Sequence, residues 1–156
     1  MDKKNSYLPA GYQTLTAYLI VKNAAKAIDF YKEVFDAVEV MLMESPDKKI
    51  GHAELSIGDV KFMLADEHPE MNAYAPDKYK GSPVGMHLYV KDVDATAALA
   101  VKHGAKLVRK VENQFYGDRS GTVEDPFGHT WYIATHIEDV SEEEMKKRVA
   151  DLFAKK

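Results

Sequence analysis

The feature that most narrows the fold is an internal repeat. Leu88-Tyr89-Val90-Lys91-Asp92 echoes Leu19-Ile20-Val21-Lys22-Asn23, with Leu19 and Leu88 standing 69 positions apart. Both pentads read as a strand running into a helix cap, since Asn23 and Asp92 can each accept a bond from the first turn of a following helix. A supersecondary unit that occurs twice must bury its apolar face twice. This restricts the chain to architectures built from two equivalent modules.

Each module can be read out. Leu15 to Val21 is predicted as a buried strand and Ala24 to Ala37 as an amphipathic helix. In that helix Ile28, Tyr31 and Phe35 form the buried stripe, and Lys26, Asp29, Lys32 and Glu33 face water. Strands follow at Val38 to Met43, His52 to Ile57 and Val60 to Ala65; Ser45 to Lys49 and the hairpin dipeptide Gly58-Asp59 separate them. The order is β-α-β-β-β. His68 to Pro83, with Pro69, Pro76, Gly81 and Pro83, has no sustained periodicity and reads as a connection.

The second module repeats that order: the strand ending at Asp92, a helix from Ala95 to His103 closed by Gly104, then strands at Lys106 to Val111, Gly121 to Glu124 and Thr130 to His136. Asp125-Pro126-Phe127-Gly128 takes the place of Gly58-Asp59. The expected organisation is one domain over residues 12–137, made of modules 12–67 and 84–137, then a C-terminal helix within 138–156. Ser141-Glu142-Glu143-Glu144 opens that helix as a capping box. Met145, Val149, Leu152 and Phe153 give it an apolar stripe, and Lys155-Lys156 suit its dipole.

Composition removes whole classes of chemistry. The chain has no cysteine, which excludes disulfides, thiolate metal sites and thiol catalysis. A formal charge of −4 with dispersed lysines provides no basic stripe for a phosphate backbone, so nucleic acid is not an expected partner. No apolar run approaches the roughly 20 residues needed to span a bilayer, and no membrane role is expected. The N-terminal stretch has no apolar core of signal-peptide length, so the expected location is the cytoplasm.

Ala27-Ile28-Asp29-Phe30-Tyr31 in the first helix, Gly117-Asp118-Arg119, and Asp125-Pro126-Phe127-Gly128-His129, together with the duplicated β-α-β-β-β order, resemble the vicinal oxygen chelate superfamily. That superfamily holds glyoxalases, extradiol dioxygenases and bleomycin-resistance proteins. The resemblance implies an α+β fold in which two βαβββ modules form a half-open barrel, with ligands against the sheet faces turned away from the helices. It also implies a homodimer. Metal-dependent relatives place a His or Glu ligand on the inward face of each of four strands. Aligning on the strand and turn motifs puts Thr16, Met63, Gly85 and Tyr132 there, and these cannot together hold a divalent ion. The resemblance is therefore to the branch without a metal.

Strand alternation assigns the inward residues. Tyr18, His52, Glu54, Ser56, Lys61 and Met63 share one face in the first module, and Gly85, His87, Tyr89 and Tyr132 share one in the second. Gln114-Phe115-Tyr116-Gly117-Asp118-Arg119 resembles an aromatic-Gly-x-Arg stretch that runs beside the cavity in bleomycin-resistance proteins. Tyr116 would offer a flat apolar surface. Arg119 would either fork onto an anionic ligand or pair with Asp118, Glu124 or Asp125. The rings of Tyr18, Tyr89 and Tyr132 would stack on a ligand or pack on one another. His129 reads as a hairpin hydrogen bond, and His68 and His103 as surface residues.

Two functional classes stay open. The first is a protein that binds a small aromatic or anionic metabolite through Tyr18, His52, Glu54, Met63, His87, Tyr89, Tyr116, Arg119 and Tyr132, with no cofactor. The second is a lyase, isomerase or dioxygenase, with a divalent ion on a relocated site of His52, Glu54 and His87, or with Glu54 as a catalytic acid or base.

Overall fold

A computed structural model describes residues 7–154, which divide into two compact units meeting between Gly81 and Ser82. Lys155 and Lys156, assigned above to the helix dipole, lie outside the described residues. The fold is α+β, with one four-stranded mixed sheet in each unit. Among the described residues no helix is long and apolar enough to cross a membrane.

The first module runs β1 (Tyr18–Val21), α1 (Ala24–Phe35), β2 (Val38–Glu44), β3 (Ile50–Ile57) and β4 (Val60–Asp66), with sheet order β1-β4-β3-β2. β1 lies parallel to β4, the arrangement a helical crossover permits, and the other pairs are antiparallel hairpins. β1 is shorter than expected: Leu15 is 88% exposed, and ladder pairing with β4 starts only at Tyr18. α1 stops at Phe35 because Asp36 adopts a left-handed conformation (φ 54°) and its N–H turns back to the Tyr31 carbonyl. Ile28, Tyr31, Val34 and Phe35 of α1 are buried, as are Leu19, Val21, Ala53, Leu55, Phe62 and Leu64 on one face of the sheet. The Tyr31 and Phe62 rings meet edge to face at 5.7 Å between centroids.

The second module runs β5 (Gly85–Tyr89), α2 (Val93–Lys102), β6 (Lys106–Asn113), β7 (Asp118–Glu124) and β8 (Thr130–His136), with order β5-β8-β7-β6. α2 begins two residues earlier than predicted because the Asp92 side chain accepts from Ala95 N–H, leaving Val93 and Asp94 inside the first turn. Val93, Ala97 and Ala100 of α2 are buried, as are Val123, Trp131 and Ile133 of the sheet. At the β7–β8 turn the Asp125 carboxylate accepts from the N–H groups of Phe127 and His129 and from Trp131 Nε1, each at 2.9 Å. The structural reading of His129 therefore extends to its backbone N–H.

The expected C-terminal helix is α3 (Glu142–Ala154). Ser141 Oγ does accept from Glu144 N–H at 3.2 Å, one arm of the capping box. The apolar stripe, however, is not buried: Met145 and Val149 are half-buried, and Leu152 and Phe153 are exposed. The helix is held instead by Arg148, which binds Glu138 through both terminal nitrogens (2.9 and 2.7 Å), Glu144 through Nε (2.9 Å) and the Phe115 carbonyl (3.0 Å). A Cβ at Gly117 would collide with the Glu138 carbonyl, so only glycine lets this loop meet the segment leading to α3.

Candidate functional site

Each module turns a polar, aromatic sheet face away from its helix. In the first, the register is the predicted one: Glu54 opposes Met63, Ser56 opposes Lys61, and Tyr18 lies beside Met63 on the parallel partner. Three of the expected residues are joined in a chain. Tyr18 Oη lies 2.9 Å from His52 Nδ1, and His52 Nε2 lies 3.3 Å from Glu54 Oε1. Tyr12, from the segment before β1, donates its hydroxyl to Glu54 Oε2, and Lys61 Nζ sits 4.2 Å from the centre of the Tyr12 ring.

These bonds set the protonation of the chain. The Tyr12 hydroxyl outweighs burial and, with His52, holds the Glu54 carboxyl below the usual carboxylate range. The same bond pushes the Tyr12 phenol up. An ionised Glu54 requires His52 to carry its proton on Nε2, so in the neutral ring Nδ1 accepts from the Tyr18 hydroxyl.

In the second module His87, Tyr116 and Tyr132 line a cavity of about 90 Å³, with Arg109, Ser120, Gly121 and Thr122 completing its wall. Thr122 opposes Tyr132, which lies beside His87 in the parallel pair, so the sheet register itself converges these side chains. The Tyr132 ring covers Gly85 so closely that a Cβ there would overlap Cε2. Tyr89, on the same strand face, stacks edge-on against His87 (4.9 Å between centroids) and donates to Asp118 Oδ2 at 2.8 Å. His136 Nδ1 meets the other Asp118 oxygen at 2.8 Å, and its Nε2 lies 3.0 Å from Asp139. Asp118 is buried, which works against ionisation, yet the bonds from His136 and Tyr89 prevail and keep its pKa low.

Arg119 is not brought to this cavity. It alternates to the helix side of β7, where Nε and one terminal nitrogen grip both Asp94 oxygens at 2.7 Å and the other donates to Asn113 at 3.0 Å. Its acidic partner is thus Asp94 on α2, and not Asp118, Glu124 or Asp125. His52 and Glu54 lie on β3 of the first module and His87 on β5 of the second. Among the described residues no three His, Asp or Glu side chains form a cluster that could hold a metal ion. A second concavity, of about 310 Å³, lies at the start of α1 among Lys22, Lys48, Lys49, Asp66 and Glu67, residues already tied into caps and ion pairs or in mixed charge.

Sequence reasoning missed Arg109, Ser120, Thr122 and Tyr12. Ser120 and Thr122 were accessible by extending alternation across the β7–β8 pair. Arg109 was not, because register shifts between Leu107 and Arg109 and between Arg109 and Glu112 break the phase of β6. Tyr12 precedes any periodic segment.

The chain belongs to the glyoxalase/bleomycin resistance protein/dioxygenase superfamily, whose family model matches residues 13–133. It is 42% identical over 135 residues to the Mycobacterium tuberculosis protein Rv0887c, covering 85% of this chain and 79% of that one. The X-ray structure of the Arabidopsis thaliana protein At5g48480 matches with 30% identity and a TM-score of 0.62, covering 79% of this chain and 98% of that one. The fosfomycin resistance protein FosX of Listeria monocytogenes, in complex with Mn(II) and dihydroxypropylphosphonic acid, shares the fold at 17% identity and a TM-score of 0.61, covering 86% of this chain and 94% of that one.

Proposed function

We propose that this chain binds a small aromatic or anionic metabolite against its inner sheet faces, without the metal site of its metal-dependent relatives. The observation that carries the reading is the Tyr132 ring over Gly85. The resemblance assigns both positions to metal ligands; here one has no side chain and the other fills its space with a phenol ring, a poor donor for divalent ions. Of the two remaining positions, Met63 offers only a thioether, and the Thr16 hydroxyl turns to the Gln13 carbonyl at 3.4 Å. What replaces the donors is a wall of rings and hydroxyls, which suits a planar organic ligand.

The test has two arms. Metal analysis of protein purified without chelator is expected to find no stoichiometric Ni, Zn, Fe or Mn. A thermal-shift screen of planar metabolites is expected to raise the melting temperature by mass action. A stoichiometric ion would overturn the reading and return the relocated site of His52, Glu54 and His87.

One observation favours a second reading, an enzyme. The chain from Tyr18 through His52 to Glu54 links a half-exposed phenol to a carboxylate through an imidazole, an arrangement suited to moving a proton. Turnover of any carbonyl or phenolic substrate that is lost in both Glu54→Gln and His52→Gln would place the protein in that class. A homodimer also fits, since β2 exposes Val38, Met41, Leu42 and Met43 and α3 exposes Leu152 and Phe153. Light scattering at micromolar concentration tests it.

A further inference from the structure

We infer that the cavity of the second module is specific for the carboxylate of a single aromatic ring, with Arg109 as the residue that receives the charge. The inference rests on reading that cavity as a ligand site and adds the ligand's class and polarity. The sequence holds three arginines, Arg109, Arg119 and Arg148. Arg119 is consumed by Asp94, and Arg148 by Glu138 and Glu144. Arg109 alone has no acidic partner among the described residues, and it lines the cavity. A guanidinium fork that no protein carboxylate occupies, beside stacking surfaces, is built to accept a planar anion in two parallel bonds.

The rest of the wall agrees. No carboxylate lines the cavity: Asp118, on the same sheet, has one oxygen taken by Tyr89 and the other by His136. Tyr132, Tyr116 and His87 supply ring faces and edges, and the hydroxyls of Ser120 and Thr122 can donate to a carboxylate oxygen beside the guanidinium. A hollow of about 90 Å³ walled by three rings suits a single planar ring. Arg109 Cα stands opposite Thr122, so its side chain leaves the strand on the cavity side.

The experiment is a two-dimensional ¹H–¹⁵N NMR titration of the full chain with four probes: benzoate, the neutral isostere benzamide, the non-aromatic cyclohexanecarboxylate, and phenyl phosphate. Benzoate is expected to shift Ser120, Thr122 and the Arg109 side chain and to bind at least about 10-fold more tightly than benzamide or cyclohexanecarboxylate. Arg109→Gln should erase that preference by weakening benzoate far more than benzamide, Arg109→Lys should restore part of it, and Arg119→Gln should leave it intact. The spectra report directly whether each variant is folded. Equal binding of benzoate and benzamide, or an Arg109→Gln variant that keeps the preference, overturns the inference and leaves the cavity as a ligand site. Tighter binding of phenyl phosphate overturns the choice of carboxylate. Failure of all four probes to shift the cavity residues overturns both the inference and the ligand reading of this module.

Discussion

Asp66 and Thr135 occupy the same post in the two modules. Each sits on the last strand of its unit and accepts a hydrogen bond from the first backbone N–H of the helix: Ala24 N–H to Asp66 at 2.8 Å, and Val93 N–H to Thr135 Oγ1 at 3.0 Å. Asp66 and Thr135 are separated by the same 69 positions as Ala24 and Val93. The repeat therefore reaches beyond the strand pentad to the tether between helix and sheet. The chemistries have diverged. The second Asp66 oxygen takes the Ile50 N–H at 2.8 Å, whereas the Thr135 hydroxyl donates to the Val90 carbonyl at 2.9 Å.

This divergence predicts unequal costs. Asp66→Ala strands two N–H donors of buried residues and is expected to cost about 2 to 4 kcal/mol, while Thr135→Val strands one donor and one carbonyl for about 1 to 2 kcal/mol. Urea unfolding followed by circular dichroism measures both. Equal costs, or a silent Asp66→Ala, would show that water replaces these bonds and that the tether is not what holds α1 to its sheet.

Gly85 and Tyr132 give a second test, because one methyl group at position 85 must displace the ring or shift β5. Gly85→Ala is expected to cost about 1 to 3 kcal/mol and to weaken any ligand of the second-module cavity, into which the ring would be pushed. Tyr132→Ala removes the obstacle. The double variant should therefore be more stable than the two single costs add up to, with a coupling of about 1 kcal/mol or more in a thermodynamic cycle. Additive costs would mean that the clash is relieved elsewhere.

The sequence made the fold more legible than the site, for a physical reason. Alternation and capping are local, so Glu54 opposite Met63, Gly58-Asp59 as a hairpin and the cap at Asn23 could be read residue by residue. What failed was non-local or out of phase. Arg119 was open between a ligand and an ion pair with Asp118, Glu124 or Asp125, yet it lies on the helix side of its strand, where its partner is Asp94 of α2. Arg109 was invisible because β6 is an edge strand with two register shifts, and a pattern of period two carries no information across them. The α3 stripe could be read as apolar but not assigned a cover, because amphipathicity states only that a face is apolar and not what lies against it.

The Arg119–Asp94 bridge predicts a variant that separates structure from binding. Asp94 is exposed and Arg119 half-buried, and solvent reaches both groups, so even this bidentate pair is expected to contribute no more than about 1 kcal/mol. Arg119→Gln should lower stability by that much or less, and the loss should shrink in about 1 M salt. A loss of several kcal/mol that salt leaves unchanged would mark the pair as a buried structural element instead.

His136 supplies the last prediction, because its charge is set by two carboxylates. The bond to Asp118, then that to Asp139, raises its pKa above the usual imidazole value, against a smaller opposing effect of desolvation. A raised folded-state pKa means that the stabilisation is fully present below the unfolded value of about 6.5 and is lost as pH rises through the higher folded value. Asp118 closes the window from the acid side. Its folded pKa is depressed, so its contribution is present above the unfolded carboxyl value and disappears as pH falls through the folded one. The stability gap between the parent protein and His136→Gln should therefore be largest in mildly acidic solution and shrink as pH rises through the raised His136 value, measured as paired thermal melts. Imidazole NMR titration should place the His136 midpoint above about 6.5, with Asp118→Asn lowering it more than Asp139→Asn, in the order of the two bonds' influence. A gap that grows with pH, or a midpoint that ignores Asp118, would mean that Tyr89 alone holds the buried carboxylate and that His136 only shields it from water.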